Sequence, residues 1–243
     1  MTPGKLYIGT SGWHYRHWRV PFYPHNWPSK EFLDLYSRRF GVVEINSTFY
    51  RLPEKETLVS YYQQTPADFL FAVKASRYIT HMKKLKGAGE YVANFLERLE
   101  PLADKTGPIL FQLPPRWHCN VERLQEFISY LPDKYRYVFE FRDDSWFTDA
   151  VYATLAANNI SFCLYQLEGR LSPQLITADY VYIRLHGPGK AYEGKFRTDD
   201  LAGWADKITI WRQQGRDVYI FFNNDQNGYA PANALELKKM LEQ

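Results

Sequence analysis

Cysteine is nearly absent from this 243-residue chain: only Cys119 and Cys163 occur, and they form no Cys-x-x-Cys pair. That excludes a disulfide framework and a thiolate metal site, and it fits a reducing compartment. No apolar run approaches the roughly 20 residues that a membrane-spanning helix needs. The opening MTPGKLYIGTSGW enters a strand pattern at once, without the charged leader and apolar stretch of a secretory signal. A cytoplasmic protein with no membrane partner is the expectation. Charge of one sign is also missing, since 30 Lys and Arg face 27 Asp and Glu, a net of +3. That balance permits nucleic-acid binding without demanding it. GxGxxG, P-loop and GxSxG patterns do not occur, so nucleotide-cofactor and Ser-triad readings fail. HExxH and His-rich spacings are missing too, and no low-complexity tract or linker-like shift divides the chain.

What is there is alternation. Eight strand-like segments stand at 6–10, 42–47, 69–75, 109–113, 137–141, 161–165, 180–185 and 218–222. Helical spacing fills 30–39, with Ser29 as a plausible N-cap, and then 54–64, 90–102, 121–131, 148–157, 201–213 and 233–241. Only 166–178 lacks a clear helix. Strand–helix alternation eight times over predicts an α/β protein, a single (β/α)8 TIM barrel spanning 1–243, with the helix after strand six short or missing.

Five of the strands carry polar or charged residues on one face. VEINSTFY places Glu44, Asn46 and Thr48 on one face, FLFAVKAS places Ala72, Lys74 and Ser76, and ILFQLP adds Gln112. YVFEFR contributes Glu140 and Arg142, and VYIRLHG contributes Tyr182, Arg184 and His186. Strand side chains alternate with a period of two. The opposite faces, such as Phe69/Phe71/Val73 and Val181/Ile183/Leu185, are apolar and suit packing on helices. Charged groups are rarely buried unpaired, so several on one face need a shared reason. In a TIM barrel the reactive end is the C-terminal end of the strands. The catalytic candidates are therefore Glu44, Lys74, Glu140, Arg184 and His186. The plain alternative is an internal ion-pair layer in which Lys74 and Arg184 neutralise the two glutamates.

Ligand-binding candidates surround them: Trp13, Asn46, Gln112, Arg142, and the loop HGPGKAYEGKFR with Gly187, Gly189 and Lys190. Glycine loops after late barrel strands bind anions through backbone N–H groups. FFNNDQNGYAP adds Asn223, Asn224 and Asp225 to the same rim, Asp225 being also a candidate helix cap. The loop after the first strand carries Trp13, Tyr15, Trp18, Phe22, Tyr23 and Trp27, which read as a small accessory core more readily than as a stacking platform. The basic run Arg77, His81, Lys83, Lys84 and Lys86 reads first as a solvated rim. No cofactor is expected. A divalent metal at Glu44, Glu140 and His186 is only weakly signalled.

Seven ordered stretches, GTSGWHYRHW, VEINSTFY, FAVKAS, ILFQLPP, EFRDDSW, YIRLHGPGKAYEGKF and FFNNDQNGYAPANA, resemble the motifs of the YecE-like proteins, domain of unknown function seventy-two. The resemblance runs from about residue 8 to 241. It implies a TIM barrel and a bacterial cytosolic protein, and it supplies no activity. The family pattern has a histidine where this chain has Asp143. From the residues, the leading reading is an enzyme acting on a small anionic, phosphorylated or carboxylated, sugar-like ligand by carboxylate and lysine acid–base chemistry. The others are a nucleic-acid binder or phosphodiesterase, and a non-catalytic metabolite-binding barrel. Nothing in the sequence fixes oligomeric state.

Overall fold

The computed structural model describes residues 2–242. Its strands are β1 (Leu6–Thr10), β2 (Val42–Ile45), β3 (Leu70–Lys74), β4 (Thr106–Gln112) and β5 (Tyr137–Glu140). They continue with β6 (Ser161–Leu167), β7 (Arg170–Leu171), β8 (Tyr180–Leu185) and β9 (Asp217–Phe222). The order is β1-β9-β8-β6-β5-β4-β3-β2, with β7 paired to β6 outside that path. This is the α/β fold of a TIM-type barrel. No helix separates β6 from β8. The chain turns back there through Glu168 and Gly169, both at positive φ, and adds the antiparallel β7 instead.

The described chain falls into two compact units. The first holds the residues up to Glu44, Leu164–Gln174, and those from Asp179 onward. Here β9 lies between β1 and β8, parallel to both, with Thr10 opposite Phe222 and Arg184 opposite Phe221. Helix Thr198–Gln213 begins where the Arg197 backbone N–H donates to the Asp200 carboxylate at 3.1 Å, and it buries Leu201, Trp204 and Ile208. The aromatic first loop is a core of its own: Trp18, Phe22 and Tyr23 are buried, and Tyr23 stacks on Phe32 with ring centroids 4.0 Å apart. Ser29 does not cap its helix. It opens a short 3-10 turn, Ser29–Glu31, and its hydroxyl accepts from the Arg19 guanidinium at 3.0 Å.

The second unit spans Ile45–Cys163 with Leu175–Ala178. Within it β3, β4 and β5 are parallel neighbours, and Gln112 stands opposite Glu140. Helices Val121–Ile128 and Asp149–Ala157 start on real side-chain caps, Asn120 and Thr148. Lys105 is 3% exposed and donates to the carbonyls of Tyr62 and Thr65, closing the end of helix Lys55–Gln63. The alternation read through residue 48 stops earlier, because Ser47–Tyr50 is a helical turn. Thr48 therefore leaves the strand face and donates to the Lys74 carbonyl at 2.6 Å.

Candidate functional site

The first unit gathers its polar residues at the C-terminal ends of β1, β2, β8 and β9. Glu44 is wholly buried, and every lone pair of its carboxylate is in use. Oε1 accepts from Arg184 Nη2 at 2.8 Å and from Ser11 Oγ at 2.8 Å. Oε2 accepts from Arg184 Nε at 3.0 Å and from Tyr182 Oη at 2.7 Å. Arg184, 1% exposed, thus meets Glu44 fork to fork, the geometry that makes arginine the residue for planar two-point recognition. Strand periodicity explains the assembly: Tyr182 and Arg184 are two residues apart on β8 and share the face that meets Glu44. Burial alone would push the Glu44 carboxyl up, but the Arg184 charge, with the hydrogen bonds from Arg184, Tyr182 and Ser11, holds it below its ordinary value.

Arg184 has one nitrogen left over from the fork. Nη1 turns to His186 Nε2 at 3.5 Å, and His186 Nδ1 lies 3.0 Å from the Asn223 carboxamide. His186 is 1% exposed. Asn223 presents its donating Nδ2 to Nδ1 at the shorter distance, so in the neutral ring Nδ1 accepts and Nε2 carries the hydrogen. Tyr192 crosses the imidazole edge to face at 5.4 Å, and its backbone N–H donates to the His186 carbonyl.

The glycine loop is built rather than slack. Gly187 has φ +132, and a Cβ there would sit 2.4 Å from the Glu193 carbonyl oxygen and 2.7 Å from that of Lys190. Asn224 donates to the Gly194 carbonyl and to Asn233, whose carboxamide brackets both backbone groups of Phe196. Asn224 Oδ1 is buried with no hydrogen-bond partner. Gly189 and Lys190 are exposed on the loop's outer side. Asp225 does not cap the following turn; it faces His17, whose Nε2 is 2.8 Å from its carbonyl oxygen and 3.6 Å from its carboxylate. Burial raises the Asp225 carboxyl, with the His17 contact working against it. Trp13 is buried, and its carbonyl accepts from Tyr23.

The remaining sequence candidates belong to the second unit. Glu140, fully buried, is paired with Arg142 two residues on, and Cys163 Sγ lies 3.7 Å from its other oxygen. Lys74, half-buried, places its ammonium 4.1 Å above the Phe49 ring. Gln112 and Asn46 are half-buried, and Asn46 Oδ1 has no partner. Of the ion-pair layer expected from sequence, Arg184 pairs with Glu44, and Arg142 is an ion-pair partner of Glu140. Among the described residues no three His, Cys, Asp or Glu side chains are grouped as a metal site requires.

Sequence reasoning missed Ser11 and Tyr182 as site residues. Their signals were the strand-end position in GTSGW and the alternation in VYIRLHG. It also passed over His17, which only the return of the chain at Asp225 brings into play.

A family model described as "Protein of unknown function DUF72" matches residues 7–243. The UPF0759 protein YunF of Bacillus subtilis is 25% identical over 270 residues, covering 98% of this chain and 95% of that protein. The UPF0759 protein YecE of Escherichia coli K12 is 33% identical over 144 residues, 58% of this chain and 50% of that one. Among solved structures, a DUF72 family protein of Thermotoga maritima superposes with a TM-score of 0.90 at 30% identity, over 98% of this chain and all of the other. One from Enterococcus faecalis gives a TM-score of 0.84 at 20% identity, over 98% and 96%, which speaks for the fold alone.

Proposed function

The chain belongs to the DUF72 family, and on that footing we propose that it is an enzyme acting on a small anionic, sugar-like molecule at the rim of its first unit. His186 is the proton-transferring group in this reading. One observation carries it: a guanidinium locked by Glu44 through two of its nitrogens turns the third toward a buried histidine at a strand's C-terminal end. Imidazole is suited to proton transfer near neutral pH. Arg184, already oriented, can hold an oxyanion without reorganising. The loop from Gly187 to Phe196 supports an anion-binding role through its constrained backbone.

The geometry changes the assignment drawn from sequence alone. A carboxylate with four hydrogen bonds and a lowered pKa is a poor proton shuttle, so Glu44 acts as the residue that positions Arg184. The same completeness favours a second reading, a barrel that binds a metabolite without transforming it. A thermal-shift screen against phosphosugars and sugar acids, followed by NMR of the incubated ligands, separates them. The enzyme reading expects a stabilising ligand that yields a new product. Stabilisation with no product would leave the binding barrel, and no stabilisation by any anion would remove both.

A further inference from the structure

The second unit has a cluster of basic side chains of its own, at the end of β3. Lys74 holds its ammonium 4.1 Å over the Phe49 ring, and the His81 ring meets the same phenyl edge to face at 4.9 Å. Phe49 thus sets both groups from its one side chain. Arg77, exposed, precedes the π-helical segment Tyr78–Met82 that carries His81. Single π-helical turns are uncommon and concentrate at functional sites. The Thr80 hydroxyl has one hydrogen, given to the Ser76 carbonyl at 3.3 Å. Its oxygen therefore accepts from His81 Nδ1 at 2.9 Å, which leaves Nε2 as the nitrogen that can take up a proton.

We propose that Lys74, Arg77 and His81 form a binding subsite for a phosphoryl group, with Phe49 as its apolar floor. Burial, then the charges of Lys74 and Arg77, hold the His81 pKa down to about 4. The imidazole is therefore neutral at neutral pH, and the field around it is positive. A phosphate monoester brings close to two negative charges and three acceptor oxygens. Such a group relieves the repulsion on His81 and receives a third donor as the ring protonates. A monoanion such as a carboxylate has less charge to offer the same three groups. The subsite stands on the second unit alone and does not depend on the role given to His186.

The test is NMR of the His81 ring in the intact protein at pH 6, with phenyl phosphate, a monoester whose second pKa is about 6, or acetate added at constant ionic strength. With phenyl phosphate, the ring signals move from neutral toward imidazolium positions, which at pH 6 requires the His81 midpoint to rise by at least two pH units from about 4. Acetate leaves them unmoved. Arg77→Gln, at an exposed position, weakens the phosphate response at least tenfold, and Lys74→Met does the same. Signals that stay neutral in saturating phenyl phosphate overturn the proposal. So does an equal response to acetate, or a phosphate response that survives both substitutions.

Discussion

Arg184 and Glu44 are joined by two parallel hydrogen bonds, 2.8 and 3.0 Å long, between side chains that are 1% and 0% exposed. A pair so far from water is asymmetric in its energetics. Losing one partner strands a buried charge at a cost of about 3–5 kcal/mol, whereas replacing both with apolar groups costs far less. Arg184→Met should therefore destabilise the protein by that amount in urea unfolding. Glu44→Leu combined with Arg184→Met should recover most of it. A double variant as unstable as the sum of the singles would show that the two residues are not coupled.

The same pair sets an acid limit. The folded pKa of Glu44 lies below its ordinary value of 4.5, so the unfolded chain binds the proton first as pH falls. The pair's contribution is complete above about pH 4.5 and declines as pH drops through the folded value. Wild type should lose stability below pH 4.5 more steeply than Glu44→Gln. Parallel curves for the two would contradict the assignment.

His81 acts over a higher window with the same sign. Its folded pKa of about 4 lies below the unfolded 6.5, so its neutral form stabilises the fold fully above pH 6.5 and progressively less down to pH 4. Replacing it by Gln should flatten the stability curve across that interval, measured without added phosphate.

Two glycines in one loop should respond differently. Gly187→Ala puts a methyl group against two backbone oxygens at φ +132, a strain of about 1–3 kcal/mol that the peptide cannot relieve by rotating a side chain. Gly189 has nothing within 4 Å of its added Cβ, and Gly189→Ala should be within roughly 0.5 kcal/mol of wild type. Thermal melts of the two variants decide it.

Most of the fold was legible because its signals are local. Period-two and helical patterns locate all eight barrel strands and the missing helix after β6. The errors arose where side chains found better partners than the local pattern offers. Ser29 serves Arg19 rather than its own helix, and Thr48 bonds to the Lys74 carbonyl after the chain has already left β2. The candidate site was legible as a set of residue types and not as a set of pairings. Alternation on β8 singled out Arg184 and His186. That Arg142 pairs with Glu140 depends on where a long side chain ends, and strand spacing does not encode that. His17 meets Asp225 across 208 residues of sequence, beyond the reach of any local rule.

The most direct test is single-turnover kinetics of wild type and His186→Asn on a substrate from the anion screen, with folding of the variant checked by its melt. The account predicts that the variant still binds the ligand while its chemical step slows by roughly a hundredfold to ten-thousandfold. A folded His186→Asn protein that turns over at the wild-type rate would contradict it.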